Sequence, residues 1–270
     1  LELHLRNATH DFTEGTYTLN KNMNNVEINR ALRARAQELA PHHDITIREG
    51  QTIRDMANYF EERGFFPAEE FIYVAQYGHF SFPFLLEIPA DRPNRLEGYL
   101  FPDTYQIPVN PNPGAIITRM LDNFGRKFTD DLYARADEMK ISVDDVIIMA
   151  SIIERETRLA AERPIVSQVI HRRLRQNMRL QMCSTVQYTM DDPPIRLLNV
   201  HLEIDSPYNT YMYSGLPVGP ISNPGLAAIQ AVLSPSDTDF LFFVLKDEET
   251  GEHHFSRSAA EHDAARALYD

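Results

Sequence analysis

The chain has 270 residues, a formal net charge of −13 and no tryptophan. Because its basic residues form no long run, the charge argues against nucleic acid and anionic lipid as partners and leaves a neutral or zwitterionic polymer compatible. The 12 Tyr and 15 Phe residues are the only side chains available for stacking on a sugar. The single cysteine, Cys183, excludes an internal disulfide. This length predicts two domains, or one large domain with small modules.

Two short strand–helix units are predicted at the N-terminus. The first, residues 1–44, has two alternating segments that predict strands, followed by Asn25, a favourable N-cap for a helix reaching Leu39. The second, residues 45–88, repeats this plan, so the pair forms a weak internal repeat. The predicted elements of the second unit are a strand at 45–47, a turn at Glu49 and Gly50, a helix capped by Thr52 and ended by Gly64, and a helix at 67–77.

The remainder of the chain predicts a larger mixed domain, so the predicted fold class is α+β with small modules before that domain. Its predicted elements are an irregular connection at 81–95, a strand broken by a turn at 97–105, two helices within 114–140, a helix from Ser142, a helix opened by Pro164, polar loops over 178–225, a hairpin between Phe240 and Phe255, and a closing helix. The chain begins at Leu1 with no signal peptide or membrane-spanning run, so we expect an excised soluble portion, compatible with a removed anchor.

The segment 141–157, ISVDDVIIMASIIERET, organises this domain. Ser142 and Asp145 form a capping-box pair, which predicts the start of a helix. The next residues, 146–153, carry no charge and are too few to cross a bilayer, so a buried core helix is expected. Glu154 continues an apolar row at helical spacing, and its carboxylate should therefore leave the helix on an apolar face.

The expected position of the Glu154 carboxylate makes it a candidate general acid. Desolvation and the negative end of the helix dipole would raise the pKa of Glu154, and a carboxylic acid protonated near neutrality is what a general acid requires. The residues alone leave two alternatives open. Glu154 can instead pair with an arginine such as Arg155, Arg158 or Arg163, and Glu156 continues an apolar row equally well.

Several other chemistries find little support in the sequence. The glycine-rich phosphate-binding, dinucleotide-binding and nucleophile-elbow motifs do not occur. The adjacent histidine pairs at 42–43 and 253–254 would diverge on a strand and lack metal-ligand spacing, so no metal is predicted. Cys183, in a predicted loop, would need a distant His to act as a nucleophile, and no third orienting residue is evident.

Four segments taken together resemble one known family. They are EGYLFPDTY (97–105), ASIIERET (150–157), LQMCSTVQY (180–188), and YNTY with GLPVGPISNPG (208–225). In order and spacing they closely resemble the YceG-like endolytic murein transglycosylases, also called MltG. Units like ITIREGQTIRDMANYFEERG (45–64) precede the catalytic part in that family and resemble LysM modules. The predicted domains are an N-terminal strand–helix subdomain at 1–44, a LysM-like module at 45–88 and a catalytic domain at 89–270.

The resemblance implies that Glu154, and not Glu156, is the catalytic acid/base. It implies cleavage of the bond between N-acetylmuramic acid and N-acetylglucosamine inside peptidoglycan glycan strands, leaving 1,6-anhydromuramyl ends. It also implies an enzyme outside the cytoplasm on a membrane anchor, associated with cell-wall synthases; no cofactor is predicted. Many family sequences have Asp where this chain has Cys183, and we expect that position to be structural.

One carboxylate suffices for such a reaction, because the attacking group is the substrate's own C6 hydroxyl rather than water. The predicted substrate-binding residues are Glu97, Tyr99, Gln181, Thr185, Gln187, Tyr188, Asn209 and Tyr211. Polar, uncharged loops are typical of a carbohydrate or peptide groove, although the same residues also suit capped turns. Two competing functions are a non-catalytic peptidoglycan-binding protein and a hydrolytic muramidase.

Overall fold

The computed structural model of the chain describes residues 2–5, 15–28, 31–32, 42–89, 91–194 and 196–269. The chain divides into two compact units, one of residues 1–45 with 105–110 and one of residues 46–104 with 111–270. The described residues form three two-stranded sheets and a larger number of helices. This mixture confirms the α+β fold class.

The first unit begins with the antiparallel pair of β1 (Glu2–Leu5) and β2 (Gly15–Thr18). Residues 25–28 and 31–32 are helical. Asn24 rather than the predicted Asn25 caps this helix, because the Asn24 side chain accepts from the backbone N–H groups of Val26 at 2.9 Å and Glu27 at 3.0 Å. Most of the helix predicted to reach Leu39 lies outside the described residues.

A second two-stranded sheet pairs β3 (His42–Thr46) with β4 (Thr104–Pro108). The hydroxyl groups of Thr46 and Thr104 lie 3.0 Å apart across it. The strand of the predicted 45–88 module therefore has its partner outside that module. The LysM-like assignment and the predicted domain boundaries stay predictions.

Two helices follow β3 as the sequence predicted. In α1 (Ile53–Glu62) the Thr52 side chain accepts from the Asp55 N–H at 3.0 Å and the Asp55 carboxylate accepts from the Thr52 N–H at 2.8 Å, which is a complete capping box. The buried face of α1 packs on α2 (Ala68–Tyr77) through Phe60 and Phe71, whose ring centroids are 5.0 Å apart. Burial of these aromatic rings accounts for the apolar period of α1.

Residues 81–89 and 91–95 are irregular, as predicted, apart from a 3₁₀ turn at Pro83–Leu85. This segment is nevertheless tightly anchored. The fully buried Arg92 guanidinium donates to both carboxylate oxygens of Asp144, at 2.7 and 2.8 Å. The strand predicted over 97–105 is wrong for its first half, because residues 97–100 form turns and β4 begins only at Thr104.

The core of the second unit is helical. It contains α3 (Pro113–Lys127), α4 (Asp130–Met139) and the central α5 (Val143–Glu156), which packs against α6 (Arg163–Arg175) and α9 (Leu226–Leu233). The Ser142 hydroxyl accepts from the Asp145 N–H at 3.0 Å and so caps α5. Every residue from 146 to 153 is buried. The prediction of a buried core helix is therefore confirmed.

Three further helices and one hairpin complete the second unit among the described residues. They are α7 (Cys183–Gln187), α8 (Asn199–Leu202), the antiparallel hairpin of β5 (Phe242–Asp247) and β6 (Glu252–Ser256), and α10 (Ala259–Tyr269). The hairpin and the closing helix match the prediction. None of the helices among the described residues has both the length and the apolar character needed to span a membrane.

Candidate active site

Glu154 lies in the last turn of α5, where its side chain is only 6% exposed. Its Oε1 accepts a hydrogen bond from Arg163 Nη2 at 2.7 Å, and its Oε2 accepts one from the Gly225 N–H at 3.0 Å. Both oxygens of the carboxyl group thus have a donor. The arginine pairing that the sequence left open is present, with Arg163 as the partner.

The surroundings of Glu154 act on its pKa in both directions. Burial, the largest effect, raises the pKa above its ordinary value, while the Gly225 N–H and the Arg163 charge lower it. The nearby charge of Glu49 raises it further. Because burial prevails, the carboxyl group keeps its proton to a higher pH than an exposed glutamate does, which is the property that a general acid needs.

The position of Arg163 is fixed by its place at the start of α6, where Pro164 occupies the first turn. The preceding residue, Glu162, accepts from the His253 backbone N–H at 2.9 Å, and its other oxygen lies 2.7 Å from His253 Nδ1. The hairpin thereby anchors the helix start from which Arg163 extends. A guanidinium held by a rigid element fixes the orientation of the carboxylate that it contacts.

The donor on the other side of Glu154 comes from residues 221–225, which lie along α5. The Ile221 N–H donates to the Ser151 hydroxyl at 3.0 Å, and the Ser222 hydroxyl donates to the Ser151 carbonyl at 3.2 Å. These bonds attach the loop to α5 one turn before Glu154. The Gly225 N–H is thus directed at the carboxylate by a fixed backbone.

Asn223, which is fully buried, joins this loop to two other segments. Its Nδ2 donates to Glu97 Oε1 at 2.6 Å and to the Gln51 carbonyl at 3.0 Å. Its Oδ1 accepts from the N–H groups of Gly98 at 3.0 Å and Leu100 at 2.9 Å. Those two bonds hold the segment in turns, which is the physical reason that the predicted strand does not form there.

Glu97 is almost completely buried, and its carboxyl group accepts from Asn223, from the Ile53 N–H at 3.1 Å and from the Tyr188 hydroxyl at 3.0 Å. Asn94 in turn donates to that hydroxyl at 2.7 Å. Burial raises the pKa of Glu97 from 4.5 to about 8, although these hydrogen bonds lower it. The structure therefore places this predicted substrate-binding residue in a buried polar network.

Tyr99, also predicted to bind substrate, is fully buried. Its hydroxyl donates to Asp144 at 2.7 Å, beside the Arg92 guanidinium, and its ring lies 5.1 Å from that of Phe124. Both ends of this side chain are therefore occupied by contacts within the protein.

The polar loops after α6 fold back on one another. Gln181, an exposed residue with a positive φ of 50°, donates its N–H to the Thr210 carbonyl at 3.1 Å. The buried Thr185 hydroxyl lies 2.9 Å from the Thr210 hydroxyl. Gln187 donates its side-chain amide to the Pro194 carbonyl at 3.0 Å. Of these predicted residues, Gln181 has the greatest access to solvent.

Asn209 is fully buried and shapes the next loop. Its Nδ2 donates to the carbonyls of Leu202 and Ile204 at 3.0 and 2.8 Å, and its Oδ1 accepts from the Tyr211 N–H at 2.9 Å. The Tyr211 hydroxyl lies 3.1 Å from the Cys183 sulfur. Cys183 was predicted in a loop but is the first residue of α7.

The eight predicted substrate-binding residues thus form two groups. Those with fully or almost fully buried side chains are Glu97, Tyr99, Thr185 and Asn209. Those that remain wholly or partly accessible are Gln181, Gln187, Tyr188 and Tyr211. The side chains of the first group contact other parts of the protein, and those of the second group are wholly or partly accessible to solvent.

Glu156 occupies different surroundings from Glu154, a distinction that helical periodicity could not make. Its Oε1 accepts from the Ser184 N–H at 3.1 Å, at the start of α7. The two glutamates therefore serve different segments of the fold.

Sequence reasoning assigned no role to Glu49, Asn223 or Gly225. Asn223 and Gly225 lie within the segment GLPVGPISNPG. The family motif therefore indicated this segment, but not which of its residues contact Glu97 and Glu154. Glu49 lies 105 positions before Glu154 in the sequence. It belongs to a turn, so neither helical nor strand periodicity could relate it to Glu154.

An open cleft of about 490 Å³ adjoins Arg163. Residues of α4, α6 and α9 line it, and Arg135 and Gln230 are among its polar members. A ligand can therefore approach Arg163 from the side of this cleft.

The comparisons with known proteins agree with the resemblance seen in the four motifs. The sequence model of the YceG-like family matches residues 1–267. A Bacillus subtilis protein named endolytic murein transglycosylase is 32% identical over 269 residues, covering 96% of this chain and 73% of that protein. A Streptococcus pneumoniae protein of the same name is 28% identical over 279 residues, covering 94% of this chain and 50% of that protein. The chain belongs to the YceG-like family.

The fold agrees with a solved structure as well. The crystal structure of a YceG-like protein from Listeria monocytogenes is similar with a TM-score of 0.74 and 29% identity, covering 94% of this chain and 85% of that one. The predicted family and the predicted transglycosylase class of enzyme are confirmed by these matches.

Proposed function

We propose that this protein is an endolytic peptidoglycan lytic transglycosylase in which Glu154 is the single general acid/base. It cleaves the bond between N-acetylmuramic acid and N-acetylglucosamine within glycan strands and leaves 1,6-anhydromuramyl ends. The observation that carries the proposal is the Glu154 carboxyl group, which is buried, has a raised pKa and lies between Arg163 and the Gly225 N–H. The names of the relatives support the substrate class.

The reaction uses one proton twice. Protonated Glu154 gives its proton to the glycosidic oxygen as the bond from that oxygen to C1 breaks. The carboxylate then takes the proton of the substrate's C6 hydroxyl as that oxygen bonds to C1, which closes the 1,6-anhydro ring. No water is consumed, and Glu154 returns to its starting state. The intramolecular attack provides the proximity that a separate nucleophile would lack.

Arg163 and the Gly225 N–H, the two hydrogen-bond donors to Glu154, act between the two proton transfers. When Glu154 has lost its proton, Arg163 and the Gly225 N–H stabilise the carboxylate with charge-assisted hydrogen bonds. Because these donors are held by α6 and by the loop along α5, little rearrangement accompanies the transfer.

The substrate is held by accessible polar and aromatic side chains of the loops after α6. Gln181, Gln187, Tyr188 and Tyr211 contact the glycan, while the buried predicted residues position the loops. The segment 45–88 is a LysM-like element that contributes to glycan binding. The protein acts outside the cytoplasm, anchored to the cytoplasmic membrane and in association with cell-wall synthases.

Mass spectrometry of the products distinguishes this proposal from its two rivals. In purified glycan strands incubated with the protein, each fragment that carries a new muramyl end should be lighter by one water than the corresponding product of hydrolysis. New muramyl ends that are reducing would instead indicate a hydrolytic muramidase. Intact strands that co-sediment with the protein would indicate a non-catalytic peptidoglycan-binding protein.

A further inference from the structure

A second carboxylate lies close to Glu154. Glu49 occupies the turn before α1, where the Gly50 N–H donates to the Asn223 carbonyl at 2.9 Å and Gly50 has a φ of +79°. Glu49 Oε2 is 3.9 Å from Arg163 Nη2, the same nitrogen that donates to Glu154 at 2.7 Å. One guanidinium nitrogen therefore faces two carboxylates, one 51% exposed and one 6% exposed.

A side chain at position 225 would meet this second carboxylate. A Cβ at Gly225 would lie 1.8 Å from Glu49 Oε1 and 2.1 Å from Glu49 Cδ. The backbone itself does not require glycine, since φ is −76°. The Glu49 carboxylate thus fills the space beside the residue whose N–H donates to Glu154.

We propose that Glu49 is a positioning residue of the Glu154 site. Glu49 and Glu154 share Arg163, and Glu49 is the anionic partner of the guanidinium when Glu154 is protonated. This inference rests on the proposed function. The charged groups facing Glu154 from the packed elements are Glu49 in the turn before α1 and Arg163 at the start of α6. The adjacent Arg155 is directed to the Gly50 carbonyl, at 3.3 Å.

The electrostatic argument follows from the charges of the three groups. With Glu154 protonated, Glu49 and Arg163 together have no net charge, so the guanidinium keeps an anionic partner. Without Glu49, protonating Glu154 would leave the largely buried Arg163 with no carboxylate, which is costly. Glu49 therefore favours the protonated form of Glu154, the form that must be present before the glycosidic bond breaks.

The test is the replacement Glu49→Gln, which removes the charge and keeps the size. Carbon NMR of the glutamate carboxyl groups, with Glu154→Gln used to assign the resonance, should show the Glu154 pKa lowered by about 0.5–1 pH unit in this half-exposed environment. In turnover, kcat should fall about 3- to 10-fold at neutral pH with KM little changed. The basic limb of the pH–rate profile should move to lower pH by the same amount as the Glu154 pKa. Glu49→Asp should restore part of both.

Two further variants sharpen the result. Gly225→Ala keeps the N–H that donates to Glu154 but displaces the Glu49 carboxylate, so it should lower the Glu154 pKa in the same direction. Glu62→Gln, an exposed glutamate of α1, is the matched control and should leave the titration unchanged. An unchanged Glu154 pKa in Glu49→Gln, or an equal change in Glu62→Gln, would overturn the proposal. The titration needs no turnover, so its failure is distinct from a failure of the proposed function.

Discussion

Because the carboxyl group of Glu97 is buried, we expect the unfolding free energy to depend on pH, and Glu97→Gln should remove this dependence. Its pKa rises from 4.5 to about 8 in the folded protein, because burial disfavours the charged form. The folded state therefore binds this proton more tightly than the unfolded state does. The resulting stability is fully present below about pH 4.5 and is lost as the pH rises towards about 8.

The size of this effect follows from the same values. A rise of about 3.5 pH units, at about 1.4 kcal/mol per unit, amounts to roughly 5 kcal/mol of unfolding free energy. In Glu97→Gln the side chain is neutral at every pH, with one oxygen to accept from Asn223 and Ile53 and one amide group facing Tyr188. The unfolding free energy of the wild type should consequently fall, relative to that of the variant, across this range.

Urea unfolding measured between about pH 5 and pH 8 tests this prediction, because a change of several kcal/mol moves the midpoint by about 1–2 M. Glu70→Gln, an exposed glutamate of α2, is the control and should follow the wild type. Parallel stability curves for the wild type and Glu97→Gln would show that the buried network does not titrate in this range, and the reasoning would be wrong.

Two further substitutions test separate parts of the fold and site. Asp144→Ala leaves the fully buried Arg92 without its carboxylate, so the unfolding free energy measured in urea should fall by roughly 3–5 kcal/mol. Asp137→Ala, at an exposed position, is the control and should have little effect. Similar losses in both variants would contradict this prediction. Cys183→Ser should retain glycan cleavage, because the serine hydroxyl can keep the contact with Tyr211, which is 3.1 Å from the sulfur. Complete inactivation of a folded Cys183→Ser would mean that the thiol takes part in the reaction.

Local signals in the sequence were sufficient to place the starts of α1 and α5. Thr52 and Ser142 cap α1 and α5 as predicted, because capping depends on neighbours within one helical turn. The uncharged run before Glu154 likewise predicted the burial of α5. Glu154 itself could be distinguished from Glu156 only through the family resemblance, since both continue apolar rows.

The contacts around the site could not be predicted in the same way, because they join distant segments. The hydrogen bond between Glu97 and Asn223 spans 126 positions. The same asparagine accepts from the N–H groups of Gly98 and Leu100, and these two tertiary bonds turn the backbone where a strand was expected. A polar residue such as Asn209 has the same sequence signature whether it binds a sugar or two backbone carbonyls of its own loop. Glu49 and Gly50 indicated a turn, but no local signal placed Glu49 beside Arg163 and Glu154.

The most direct measurement is the turnover of long glycan strands by Glu154→Gln, with Glu156→Gln as the matched control. Glutamine keeps the shape of Glu154 and can still accept from Arg163 or Gly225, but it has no proton to transfer. We expect Glu154→Gln to fold normally and to lose activity by at least roughly 10²–10⁴-fold, the usual contribution of general acid–base catalysis, while Glu156→Gln is much less affected. Equal losses in the two variants, or anhydro products still formed at the wild-type rate by Glu154→Gln, would contradict the assignment of Glu154.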